Sequence, residues 1–179
     1  LPPDFNVFWK QAAQQGYKPK LATVAKVLLF PADVVALGDL VVNVATDAWW
    51  TPTWPYKSSL TGQTTQQLAD DFTTSTGKQW LQTLGSTYSL FEVAYNALSG
   101  SDDPHDHDQV AYKLKNMKYE GMSGPLDFTA GPVPGVAIVK PVGVQWKKGT
   151  GQFPYELQIV DNSANKAVAT TGDLLPTNA

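Results

Sequence analysis

The sequence predicts an α/β fold, and three observations carry the prediction. Up to residue 46 the apolar pattern alternates helix, strand, helix, strand, at the spacing of a parallel sheet. Beyond an aromatic interruption, helical periodicity runs through three segments. From Lys118 onward the chain turns to Gly- and Pro-rich, alternating sequence that reads as short strands and hairpins. With 179 residues, 42% of them hydrophobic, it is long enough to bury a sizeable core.

Asp4 is placed to cap "FNVFWKQAAQQG", with Phe5, Phe8, Trp9 and Ala12 on one face and Gly16 as the stop. "LATVA" (residues 21–25) reads as a short buried strand. In "LLFPADVVALGD" Pro31 suits the first turn of a short helix that ends near Gly38. "LVVNVAT" (residues 40–46) is a second β-rich run. A helix capped by Thr61 or Thr64 and closed at Gly77 follows the interruption. The next is longer, with Leu81, Leu84, Tyr88, Phe91, Ala94, Tyr95 and Leu98 at helical spacing. A third is expected to start at Asp103, with Pro104 in its first position. "TTGDLLPTNA" reads as a tail.

The interruption is "ATDAWWTPTWPYKSSLTG". It holds Trp49, Trp50, Trp54 and Tyr56, and Pro52 and Pro55 keep it from being a regular helix. Its rings either fold back to cap a core or line a cleft and grip a ligand.

Composition excludes several chemistries. The net charge is −3 and no basic run appears, so nothing points to nucleic acid or an anionic membrane. The absence of cysteine removes disulfides, thiolate metal sites and cysteine nucleophiles. No apolar run approaches the about 20 residues that cross a bilayer. "LPPDFNVFWKQ" lacks the basic and apolar segments of a signal peptide and opens on a helix start, which suggests a piece of something longer or a processed product. In "PHDHD", His105 and His107 are two apart and fall on different helix faces, so Asp106, Asp108 and the histidines read as a solvated cap rather than a metal site. Gly77-Lys78 lacks the glycine-rich loop of a phosphate site. Ser86 and Ser89 have no histidine near them in sequence. Glu92 and Glu156 would pair as acid and base only by accident of folding. No catalytic residue, metal or cofactor is expected.

Lys26 stands apart. It follows the strand "LATVA" at its carboxyl end, where open α/β sheets hold ligands, and its ammonium suits an anion. The competing reading is a surface lysine in a strand-to-helix turn.

Several segments, in order, resemble the C-terminal half of the periplasmic substrate-binding proteins of branched-chain amino acid ABC importers. They are "FWKQAAQQGYKPK", "ALGDLVVNV", "STYSLFEVAYNALSGSDDP", "VAYKLKNMKYEGMSGPLDF" and "GVQWKKGTGQFPYELQIV". The resemblance covers nearly the whole chain. It implies a type I periplasmic-binding-protein fold, two Rossmann-like lobes with a ligand cleft between them, of which this chain is the C-terminal part. Residues 1–46 would belong to lobe two, 47–62 to an aromatic crossing loop, 63–132 to lobe one, and 133–179 to the hinge return and final strands of lobe two. It further implies a periplasmic or extracytoplasmic solute-binding component that holds a small organic acid or amino-acid-like ligand (an amino acid, an aromatic acid or another carboxylate) between two lobes, hands it to an ABC permease and needs the N-terminal half of the same protein. A ligand-sensing receptor of the same fold is the second reading and an α/β enzyme the third.

On that resemblance, Lys26, Trp49 and Trp50 would face the ligand, while Trp54 and Tyr56 would pin the loop. Amino-acid binders of the family carry a carboxylate at the position of Lys26, to hold the ligand's ammonium. A lysine there repels an ammonium. The expected ligand therefore carries a carboxylate and an apolar or aromatic body.

Overall fold

The computed structural model describes residues 1–177, which form two compact units. Unit 1 holds Leu1–Ala48, Phe72–Gln82 and residues 141–177; unit 2 holds Trp49–Asp71 and Thr83–Lys140. Residues 72–82 thus fold with unit 1. Two glutamines show why. Gln79 Nε2 donates to the Tyr155 carbonyl (2.8 Å) and Gln82 Nε2 to the Asp47 carbonyl (3.2 Å).

In unit 1, helix α1 runs Pro2–Gln14 and α2 runs Pro31–Leu37. The first starts two residues before the expected cap Asp4, because Pro2 and Pro3 need no donor in a first turn; Asp4 becomes a first-turn acid. The second begins at Pro31 and stops at Gly38, whose φ of +61° an L-residue rarely adopts. A 3-10 turn, Gly38–Val41, then takes Leu40 and Val41 from the start of the run expected as a strand, and β1 is Ala45–Ala48. The sheet is β1-β4-β5, with β4 at Val142–Lys148 and β5 at Tyr155–Asp161, and both ladders are antiparallel. The expected parallel pairing survives as one bridge, Thr23 to Ala45. It goes no further because the chain turns sharply at Lys26. Trp9, Leu28, Val34, Leu37, Val41, Val44, Trp146 and Tyr155 form the core. Its two indoles are satisfied by carbonyls: Trp146 Nε1 donates to Leu28 (3.1 Å) and Trp9 Nε1 to Leu40 (2.7 Å).

The tail is held to the sheet by a buried polar cluster. Gln145 Nε2 donates to the carbonyls of Asn43 and Leu175, both at 2.8 Å, and its Oε1 accepts from the Leu175 amide at 3.0 Å. Lys147 Nζ donates to Asn43 Oδ1 and Gln145 Oε1, both at 2.8 Å. Burial holds the Lys147 ammonium below the usual lysine range. Residues 178–179 lie outside the described residues.

Among the described residues, the regular elements of unit 2 are helices and one hairpin. The helix α3, Thr65–Thr76, starts in this unit, with Thr64 Oγ1 accepting from the Gln67 amide (3.1 Å), one of the two caps expected. The helix α4 is Thr83–Ser99 and α5 is His107–Lys115. The last is capped by Asp106 rather than Asp103: Asp106 Oδ1 accepts from the amides of Asp108 (2.9 Å) and Gln109 (3.2 Å). Asp103 instead makes the preceding turn, accepting from the His105 amide at 2.9 Å. Hydrogen bonds from the Gln109 backbone and side chain hold the Asp106 carboxyl below the usual range.

The hairpin pairs β2, Lys118–Gly121, with β3, Gly124–Asp127. Asp127 closes its open end, accepting from the Thr129 side chain and amide and facing Lys118 Nζ at 3.1 Å. The Thr129 side chain, then Lys118 and the Thr129 amide, depress its pKa to about 2. A depressed carboxyl stabilises the fold above its unfolded pKa and loses that contribution as pH falls through the folded one. An NMR titration should therefore show the Asp127 carboxyl changing near pH 2. Hairpin stability should drop between about pH 4 and pH 2, and Asp127→Asn should remove that dependence. An Asp127 midpoint near pH 4 would count against the closure.

Candidate functional site

The chain reverses at Lys26 in a way few residues tolerate. The Val27 amide donates to the Ala25 carbonyl across two residues (2.7 Å), and Lys26 sits at the apex with φ +64°. This is a γ-type turn with a side chain in the left-handed region, a conformation that costs about 1–3 kcal/mol. The turn directly follows the parallel bridge, secured by Val24 N to Ala45 O and Ala45 N to Ala22 O, both 2.9 Å. Lys26, just beyond the bridged Thr23, is exposed, and Asp47, just beyond its bridge partner Ala45, is half-buried.

Gln82 belongs to the same neighbourhood and was missed in the sequence. Its amide nitrogen donates to the Asp47 carbonyl, while its buried Oε1 has no hydrogen-bond partner among the described residues. A buried acceptor left open costs about 1–3 kcal/mol. No periodicity marks Gln82; it precedes α4 in a stretch where glutamine is ordinary.

The aromatic loop divides. Trp49 is half-buried. Trp50, expected to face a ligand, is fully buried in unit 2, against α4 at Gly85, where a Cβ would fall on its indole. The ring is thus a packing element, and the reason is local: Gly85 leaves a groove on α4 that an indole fills. Trp54 is also buried and meets Tyr56 edge-on at 5.9 Å. Thr65 Oγ1 lies within 2.8 Å of the Pro52 carbonyl and 2.7 Å of the Trp54 carbonyl, pinning the loop. Tyr56 covers Gly124 of the hairpin.

Glu92 is no exposed acid. It is buried in unit 2, where Oε2 accepts from the Met122 amide at 2.9 Å. Burial, and then the Glu92 carboxylate, hold the Tyr119 hydroxyl above its usual pKa. Glu156 lies in β5 of unit 1 and accepts from Gln158 Nε2 at 2.8 Å. His105 and His107 are exposed.

Concavities lie elsewhere. Unit 1 has a cleft of about 340 Å³ lined by Trp9, Tyr17, Lys18 and Asp39, and an apolar one of about 330 Å³ beside Phe30, Val35 and Phe153. At the first, Asp39 pairs with Lys148 Nζ at 2.7 Å and accepts from the Tyr155 hydroxyl at 3.1 Å, so its carboxyl is held low, chiefly by Lys148. Unit 2 has a groove of about 680 Å³ along the hairpin. Lys26, Trp49 and Trp50 line none of the three.

No curated protein matches the chain. Solved structures do. The leucine-binding protein LivK of Thermotoga maritima aligns with a TM-score of 0.70 at 17% identity, covering 90% of this chain and 43% of its own. The substrate-binding protein LivJ of Streptococcus pneumoniae, solved with isoleucine, gives 0.61 at 13% identity, covering 87% and 41%. A solute-binding protein of an ABC transporter from Rhodopseudomonas palustris, solved with 3,4-dihydroxybenzoic acid, gives 0.62 at 18%, covering 93% and 43%. The chain therefore spans less than half the length of these structures, and its fold is part of the type I periplasmic-binding-protein fold. The family profile described as "Periplasmic binding protein" matches residues 1–150, and the chain belongs to that family.

Proposed function

We propose that this chain is the ligand-contacting part of an extracytoplasmic solute-binding protein that serves an ABC importer, and that it binds a small organic acid without chemical turnover. Unit 1 would be the second lobe of the fold and unit 2 part of the first. The observation that carries the reading is Lys26, an exposed cation held in a strained turn just after the parallel bridge of Thr23 with Ala45. Strain at one lysine is retained where the position of the charge matters more than local stability. Its charge selects a carboxylate. Trp49 is the candidate for the ligand's apolar part, with Trp50 bracing the loop from behind. Relatives in fold that were solved with 3,4-dihydroxybenzoic and p-hydroxybenzoic acid support an aromatic acid as one ligand class.

A thermal-shift screen of the full-length protein against amino acids, aromatic acids and dicarboxylates tests this. A ligand that binds only the native state at one hundred times its Kd stabilises by about 2.7 kcal/mol. The expected result is a rise in Tm with an aromatic or other apolar carboxylate, and recovery of that compound unchanged. A response to amines and none to carboxylates would overturn it.

A further inference from the structure

Around the Thr23–Ala45 bridge, unit 1 leaves hydrogen-bonding capacity unused. Lys26, just beyond Thr23, is exposed, and its ammonium has no hydrogen bond or ion pair among the described residues. Asp47, just beyond Ala45, is half-buried between the buried Thr46 and Ala48. Its carboxylate has no ion pair among the described residues. What it receives is the Thr46 hydroxyl at 3.5 Å, a length at which a hydrogen bond is weak. Gln82 is tied to the same residue. Its Nε2 donates to the Asp47 carbonyl at 3.2 Å, so the oxygen of that carboxamide lies one amide width from the contact. This oxygen, Oε1, is buried with no hydrogen-bond partner among the described residues. Two acceptor groups short of a donor therefore surround one backbone carbonyl, and the bridged segment carries a cation short of an anion.

We propose that Asp47 and Gln82 form an acceptor subsite, and that the ligand is an organic acid that also carries a hydroxyl. Lys26 takes the carboxylate, and Asp47 and Gln82 take the hydroxyl proton. The proposal rests on the organic-acid reading and adds the second group by which the ligand is chosen. Burying an acceptor without a donor is costly, and a hydroxyl delivered there supplies what is missing. Charge does not favour an ammonium instead: Asp47 attracts it and Lys26 repels it. Desolvation disfavours it, because an ammonium must bring three donors and lose its hydration beside a glutamine that is 1% exposed. A hydroxyl needs one acceptor. It also gives sharper selection, since the analogue without it leaves the acceptors open again.

Isothermal titration of the full-length protein with matched acids reads the subsite. The pairs are benzoate with meta- and para-hydroxybenzoate, and phenylacetate with para-hydroxyphenylacetate; para-aminomethylbenzoate is the ammonium counterpart. The expected result is that a hydroxylated acid binds about ten- to hundredfold more tightly than its parent acid. Asp47→Ala should remove that preference. Gln82→Met, which keeps the length of the side chain and lacks the acceptor, should reduce it. Urea denaturation shows that each variant is folded, and should Gln82→Met fail to fold, Asp47→Ala reads the same preference. Equal binding within every pair, or a preference that survives Asp47→Ala, overturns the proposal and leaves the organic-acid reading standing. Tighter binding of para-aminomethylbenzoate than of para-hydroxybenzoate, lost in Asp47→Ala, also overturns it, because the subsite then selects an ammonium. Binding of no carboxylate at all overturns the organic-acid reading, and this proposal with it.

Discussion

Replacing Trp50 with alanine is expected to destabilise the protein by about 3–5 kcal/mol, the range for emptying a buried aromatic site. The indole is fully buried, and it lies on α4 at a position where any side chain would collide with it. Truncation removes the apolar area of the ring and leaves a cavity that the loop cannot close. The loop stays tied at Pro52 and Trp54 through the Thr65 hydroxyl, so collapse into the void is resisted. Gly85→Ala approaches the same contact from the other side. A methyl there must displace the indole, and overpacking of this kind typically costs about 1–3 kcal/mol. The two substitutions touch one contact, so their effects should be non-additive, with Gly85→Ala costing much less once Trp50 is alanine. Urea denaturation of the single and double variants gives the comparison. A Trp50→Ala variant within about 0.5 kcal/mol of the parent would show that the ring is held by nothing in unit 2 and is available to a ligand.

That the sequence points to aromatic packing but not to which ring does it follows from what periodicity reports. Helices α2 and α3 were legible because Pro31, Thr64, Gly38 and Gly77 are punctuation with a local cause. The family was legible because its segments recur in order along nearly the whole chain. Pairing was less so. "LATVA" and "LVVNVAT" both have strand composition. Whether they extend in parallel depends on the backbone sign at Lys26 and Asn43, both at positive φ, and lysine gives no warning of that. Asn43 does, since asparagine tolerates the left-handed region. Trp50 differs from Trp49 only by facing Gly85, 35 residues later, a contact no local pattern encodes. Gln82 was invisible for the same reason: its importance is the unpartnered oxygen, which exists only once β1 is in place.

The divided aromatic loop also narrows the candidate site. Trp54, Tyr56 and Trp50 are consumed by packing and by the pins at Thr65 and Gly124. On the proposed reading, the anion contact would fall to Lys26 and the apolar contact to Trp49, and the lysine would repel an ammonium at that position.

Lys26→Met and Lys26→Gly should separate function from fold. Methionine keeps the β-carbon and most of the length but removes the charge. Losing a charge-assisted hydrogen bond costs about 1.5–3 kcal/mol, so affinity for a carboxylate ligand should fall roughly ten- to hundredfold. Stability should stay within about 0.5 kcal/mol, because Lys26 is exposed and the strained φ is retained. Glycine removes the charge and also the strain. At φ +64° a residue without Cβ avoids a cost that a lysine bears, and the gain is partly offset by glycine's greater chain entropy when unfolded. Lys26→Gly should therefore stabilise the protein by about 0.5–1 kcal/mol while binding carboxylates as weakly as Lys26→Met. Isothermal titration with the carboxylate that raises Tm, together with urea denaturation of the three proteins, reads both quantities. A stabilised, weakly binding glycine variant is what a residue kept for its charge should give. Full affinity in the methionine variant would return Lys26 to the status of a surface lysine, and a destabilised glycine variant would show that its side chain, rather than its backbone, holds the turn.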